Sequence, residues 1–152
     1  MVRVERSTVI DAPVEAVWDI VRDFNGHDRW HPAVADSAME RGAPTDRVSG
    51  VRCFHLADGS ELREQLLTLS DADMELSYCL LDTPVPLFNY VAHVRLLPVT
   101  DGDMTFFQWR SQFGTPEGRE RELTQMVGED IYTAGMEAIR AAVTRTGGEV
   151  VS

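Results

Sequence analysis

The feature that most constrains the fold is a long amphipathic segment near the end of the chain, which follows a run of short strand-like segments. After Gly114-Thr115-Pro116 the residue spacing predicts one helix over residues 117–145. Its apolar stripe, at close to helical spacing, consists of Leu123, Val127, Ile131, Ala134, Ala138 and Ala141. Such a helix must bury its stripe against another layer, and the preceding strands are the surface that the sequence offers.

Seven segments have the composition and alternation of strands. They lie at Val2–Ile10 and near residues 34–41, 47–56, 60–70, 73–82, 87–98 and 104–114. Turn signals such as Asp58-Gly59 and Asp101-Gly102 separate them, and the short connections favour an antiparallel meander. A helix after Pro13 and a short helix or turn at His27–His31 fill the gap after the first strand. The order predicts an α+β domain.

Composition excludes several classes of function. The 152 residues predict one domain over 1–152, and a net charge of −11 argues against nucleic-acid partners. No apolar run approaches the roughly 20 residues of a membrane span, and Met1–Ile10 lacks a signal-peptide pattern, so a cytoplasmic location without membrane insertion is expected. All basic residues are arginine, which excludes lysine Schiff-base chemistry.

A curved sheet wrapped on one helix leaves space between them, which is the natural place for a ligand. Strand alternation directs a few polar groups into this otherwise apolar space. The expected lining residues from the strands are Arg52, Phe54, Glu64, Tyr78, Tyr90 and Trp109. The same alternation predicts that Thr68 and Phe88 face inward.

Glu64 has the most consequential environment, because a carboxylate among inward leucines loses its hydration. Three interpretations remain open: an internal ion pair with Arg52 or a tyrosine hydrogen bond, a ligand-polarising or acid/base role, and a solvent-facing position. Arg52 could also bind a ligand carboxylate with two parallel hydrogen bonds, although the pair with Glu64 is favoured.

No metal or cofactor is expected. His27 and His31 have the i, i+4 spacing of a helical metal pair, but neither a third histidine nor an HExxH pattern accompanies them. His31 could instead lie at the mouth of the ligand space. Gly128 and Gly135 each cost the long helix about 1 kcal/mol relative to alanine, which indicates that close packing or ligand volume requires space there.

Two stretches of the chain resemble a known superfamily. Ile10-Asp11-Ala12-Pro13 through Val17-Trp18 to Trp30 is similar to the first strand and helix pair of START-like (SRPBCC) proteins. Residues 64–94 resemble the pocket strands of plant abscisic-acid receptors, and Leu87-Phe88-Asn89-Tyr90 matches them well. The chain resembles the polyketide cyclase and dehydrase branch better than the receptors. The resemblance implies a helix-grip fold, with a curved seven-stranded antiparallel sheet around the C-terminal helix.

The resemblance also implies individual pocket positions. Glu64, Tyr78, Leu87, Tyr90, Val127, Ile131 and Gly135 match pocket-facing positions of the receptors, and His31 lies at or beside their ligand-binding lysine. The turn from Leu56 to Glu64 is shorter than the receptors' gating loop and lacks its proline motif. Hormone-type gating and phosphatase docking are therefore not expected.

The prediction is a protein that binds a small, largely apolar ligand, such as a lipid, a polyketide or an aromatic metabolite. The alternative is a polyketide cyclase or dehydratase in which Glu64, Tyr90, Arg52 or His31 transfers protons. A third hypothesis is an apolar groove that docks a protein segment. The sequence leaves the ligand open, and also whether the chain is a monomer or a homodimer.

Overall fold

The computed structural model describes the backbone of residues 1–151 and the side chains of residues 1–143, and its main element is a seven-stranded antiparallel sheet. The strands are β1 Val2–Ile10, β2 Val34–Met39, β3 Val51–Leu56, β4 Glu61–Ser70, β5 Glu75–Asp82, β6 Phe88–Val99 and β7 Met104–Gly114. Their order is β1-β7-β6-β5-β4-β3-β2, so the first strand pairs with the last one. The predicted meander accounts for every other pairing.

Helices cover one side of this sheet. Helix α1 spans Val14–Val21, and 3-10 turns follow at Phe24–Arg29 and Glu40–Gly42. The C-terminal helix consists of α2 Glu120–Gln125, a π-helical segment Met126–Thr133 and α3 Ala134–Val151. The predicted α+β helix-grip architecture is confirmed. No helix in the described part of the chain is long and apolar enough to span a bilayer.

The π-helical segment shifts the buried face of the C-terminal helix. Its i→i+5 bonding widens the local turn, so the spacing between the buried residues Val127 and Tyr132 is five rather than four. The buried stripe therefore continues through Tyr132, Met136, Ile139 and Val143. The predicted continuation through Ala134, Ala138 and Ala141 was wrong, and Ala141 is exposed.

Strand alternation held in most of the sheet and failed at irregularities. The predicted strand at 47–56 begins only at Val51, because Gly50 donates its N–H to the Arg47 carbonyl in a turn. Phe88, predicted to face inward, is half exposed, since the register shifts between Phe88 and Val91 and Asn89 has a positive φ. A bulge in β4 likewise turns Thr68 outward.

Candidate ligand-binding cavity

A cavity of about 280 Å³ lies between the sheet, the 3-10 turn at Phe24–Arg29 and the C-terminal helix. Most of its wall is aromatic or aliphatic. The sequence-predicted residues that the structure brings together on this wall are Arg52, Phe54, Glu64, Tyr78, Leu87, Tyr90, Trp109 and Ile131, with His31. The wall also contains residues that were not predicted from the sequence, among them Phe24, His27, Trp30, Phe107 and Asp130.

Two predicted pocket residues lie behind the wall instead. Val127 is fully buried in the core and is not among the described residues that line the cavity. Gly135 is not on the wall either, because a Cβ built there would lie 2.8 Å from Trp109 Cζ3 and 3.1 Å from His31 Cδ2. Gly135 thus allows the helix backbone to approach two side chains that do line the cavity.

Arg52 and Glu64 form a buried ion pair on adjacent strands, where the register places them opposite each other. Arg52 Nη2 and Nε donate to Glu64 Oε1 at 2.6 and 3.0 Å, and Nη1 donates to the carbonyl of Phe24. The guanidinium also lies 3.8 Å from the centroid of the Phe24 ring. Burial raises the pKa of the Glu64 carboxyl, while the charge and hydrogen bonds of Arg52 oppose this. Of the three interpretations of Glu64, the internal ion pair is therefore the one that the contacts show.

A buried aromatic network forms the wall behind this pair. Trp109 Nε1 donates to the Tyr78 hydroxyl at 3.1 Å, and the indole stacks on the Tyr132 ring at 4.5 Å between centroids. The hydroxyls of Tyr90 and Tyr132 are hydrogen-bonded to each other. Burial raises the pKa values of Tyr78 and Tyr90, so both phenols keep their protons at neutral pH. Tyr132 was missed in the sequence, although it shares helical spacing with Met136.

His31 is held by the backbone on both ring nitrogens. Its Nδ1 accepts the N–H of Ala33 at 3.1 Å, and its Nε2 lies 2.9 Å from the carbonyl of Ile131. Since a carbonyl can only accept, Nε2 carries the proton and the imidazole is neutral. Burial lowers the pKa of His31, with the Ile131 carbonyl opposing and Arg52 contributing in the same direction as burial. His31 therefore ties the 3-10 turn to the π-helical segment.

His27 contrasts with His31, because neither of its ring nitrogens has a partner among the described residues. The ring is 6% exposed and packs edge-on against Phe54 with centroids 4.7 Å apart. Trp30 Nε1 is likewise buried without a partner in the described part of the chain. A buried polar atom without a partner costs about 1–3 kcal/mol. Since these nitrogens have almost no accessible surface, they are unsatisfied polar atoms buried within the wall.

The protonation of His27 predicts a pH effect on stability. Burial, followed by the positive charge of Arg52, lowers its pKa well below the ordinary range. The unfolded chain therefore binds the proton more readily, and the free energy of unfolding falls as the pH drops below about 6.5. His31 and His93 act in the same direction, whereas the raised pKa of His55 opposes them.

Urea unfolding of the wild type and His27→Phe between pH 7 and pH 5 isolates the contribution of His27. The slope of stability against pH should be shallower in the variant, by up to about 1.4 kcal/mol per pH unit. Equal slopes in the two proteins would contradict the burial of an uncharged His27.

Replacement by alanine should affect stability differently at the two glycines of the C-terminal helix. Gly135→Ala should lower the free energy of unfolding, because the new Cβ would press on Trp109, which is held in place by Tyr78 and Tyr132. The overpacking should cost about 1–3 kcal/mol, which the higher helix propensity of alanine offsets only in part. Gly128→Ala is the matched control, since its Cβ meets only the end of the flexible Arg6 side chain. Thermal unfolding of both variants checks the difference, and a Gly135→Ala protein as stable as Gly128→Ala would refute it.

The curved antiparallel sheet, closed by a long helix over an aromatic-lined cavity, defines a helix-grip domain of the START-like (SRPBCC) class. Residues 1–144 match the family described as "Polyketide cyclase / dehydrase and lipid transport", and the chain belongs to that family. No curated protein is significantly similar to the chain.

Solved structures share this fold. A protein from Thermobifida fusca, solved by NMR, is 29% identical with a TM-score of 0.83, and the match covers 95% of each chain. XoxI from Bacillus cereus is 24% identical with a TM-score of 0.84, over 95% of this chain and 96% of that one. The Zhui aromatase/cyclase from Streptomyces sp. R1128 is 18% identical with a TM-score of 0.80, over 95% and 94%. The last two show the likeness of the fold alone.

Proposed function

We propose that this protein binds a small, largely apolar ligand, such as a lipid, a polyketide or an aromatic metabolite, inside the cavity. The observation that carries the proposal is an aromatic-lined space of about 280 Å³ whose wall is mostly apolar. An apolar cavity of about 150 Å³ accommodates benzene. By that comparison the space suits one or two fused rings, or a short acyl chain.

Native mass spectrometry of the purified protein tests this proposal directly. A defined small molecule that is retained through purification, and then identified after solvent extraction, would support the cavity as a ligand site. If nothing is retained, the protein is titrated with a panel of naphthalene derivatives and short acyl chains. A folded protein whose mass and fluorescence do not respond to any of them would overturn the proposal.

A cyclase or dehydratase remains the second candidate, and one observation favours it. His27 is a neutral imidazole without a partner among the described residues, and it lies in the same wall as the protonated phenol of Tyr90. Such a pair could accept and donate protons during ring closure. The candidates predicted from the sequence all have partners: Glu64 and Arg52 bind each other, both nitrogens of His31 are bonded, and the Tyr90 hydroxyl is bonded to Tyr132.

Turnover of a linear poly-ketone mimic separates the enzyme from a carrier. An enzyme should accelerate its cyclisation or dehydration, and Tyr90→Phe or His27→Phe should lower kcat by about 100-fold or more with a smaller change in binding. A carrier binds the mimic without accelerating its reaction. Equal kcat in the wild type and both variants would exclude these two side chains from catalysis.

A further inference from the structure

The charge balance of the cavity wall limits the ligand further than its shape does. Among the described residues that line the cavity, Arg52, Glu64 and Asp130 are those with a formal charge. Arg52 and Glu64 cancel each other inside the wall, whereas Asp130 is exposed on the helix side. The local balance is therefore negative, and the whole chain carries −11. An anionic ligand meets repulsion at both levels.

The charge and most of the N–H groups of Arg52 are already used inside the wall. Three of its nitrogens already donate, two to Glu64 Oε1 and one to the carbonyl of Phe24. The face of the guanidinium is also covered, because the Phe24 ring lies 3.8 Å away. A ligand carboxylate at the two remaining N–H groups would lie next to the Glu64 carboxylate, which already supplies the counter-charge of Arg52.

The remaining polar groups of the wall are uncharged. His31 has both ring nitrogens bonded to backbone groups, and the Tyr90 hydroxyl is bonded to Tyr132. In the described part of the chain, the ring nitrogens of His27 and Trp30 lack partners, but they have almost no accessible surface and so do not face the cavity. The wall that a ligand meets is therefore largely apolar, and its polar groups are uncharged or already paired.

We propose that the cavity selects an uncharged molecule of one or two rings, and rejects the matching carboxylate because Glu64 already neutralises Arg52. This proposal rests on the proposed function, since it names the ligand class of the same cavity. A site with an unpaired arginine would instead bind the carboxylate more tightly than the uncharged molecule.

The test uses 2-naphthamide and 2-naphthoate, which have nearly the same shape and differ in charge. In the wild type, calorimetry should give an affinity for the amide about tenfold or more above that for the carboxylate. Glu64→Gln leaves Arg52 without its counter-charge, so the carboxylate should gain about tenfold while the amide changes little. The matched control is Glu61→Gln, the same substitution on the outward face of β4, which should leave both affinities unchanged.

Several outcomes would overturn the selection of uncharged ligands. These are equal or tighter binding of 2-naphthoate in the wild type, tightest binding of the cation 2-naphthylmethylammonium, or no gain for the carboxylate in a folded Glu64→Gln protein. If Glu64→Gln fails to fold, the amide and carboxylate affinities of the wild type decide the matter alone. A wild type that binds none of the three probes, nor any acyl chain, would overturn the proposed function and this selection with it.

Discussion

Arg52→Met should lower the free energy of unfolding by about 3–5 kcal/mol, because it leaves the buried Glu64 carboxylate without its counter-charge. The side chains of Arg52 and Glu64 are 9% and 10% exposed, so water cannot replace the lost partner. Without Arg52, the effect of burial on the pKa of Glu64 is unopposed, and the folded state binds a proton more strongly than the unfolded chain. The deficit should therefore grow as the pH rises above the ordinary glutamate range of about 4.3.

Urea unfolding at pH 5 and pH 8 measures both effects. The double variant Arg52→Met/Glu64→Leu should recover most of the lost stability, since it removes both charges. Arg63→Met is the matched control on the neighbouring strand. Its partners Glu40 and Asp82 are at the surface, so little change is expected. A single variant that loses less than about 1 kcal/mol, or a double variant no more stable than the single one, would contradict a buried pair of this kind.

Trp109→Ala should both destabilise the protein and change the size of ligand that it accepts. The indole is 6% exposed, stacks on Tyr132 and donates to Tyr78, so its removal should cost about 3–5 kcal/mol. Because Trp109 lines the cavity, its loss adds volume on the ligand side of the core. The variant should bind the three-ring probe 9-phenanthrol about tenfold more tightly than the wild type does.

Trp18→Ala is the control for this prediction. Trp18 is 4% exposed and donates to Asp71 at 2.8 Å, but it is not among the described residues that line the cavity. It should lose comparable stability without a new preference for the larger probe. Fluorescence titration of both variants decides the prediction, and the same preference in the two proteins would show that Trp109 does not limit the ligand.

Local patterns were sufficient to predict most inward-facing residues of the sheet. Arg52, Glu64, Tyr78 and Trp109 lie on the cavity wall because strand side chains alternate with a period of two, which the sequence displays directly. The prediction failed at Phe88, where an irregular register breaks that period. Alternation specifies a face only as far as the strand remains regular.

The C-terminal helix shows the corresponding limit for helical periodicity. Up to Val127 the predicted and observed stripes coincide, and beyond it the π-helical segment replaces Ile131 with Tyr132 at the buried position. The stripe through Ile131 and the stripe through Tyr132 each continue at helical spacing, so the sequence pattern alone could not distinguish them. Tyr132 occupies the buried position, where its ring stacks on Trp109 and its hydroxyl bonds to Tyr90.

The sequence by itself determined the element order, the turns between the central strands, and the strand side chains that face the helix. Each of these depends on neighbours within a few residues. Only the tertiary structure decided that β1 pairs with β7, that Arg52 is neutralised by Glu64, and that His27 is buried with no partner in the part of the chain that the structure describes. Those outcomes depend on distant segments meeting in one register, and on which polar groups lose water when the helix covers the sheet. No local period encodes either of them.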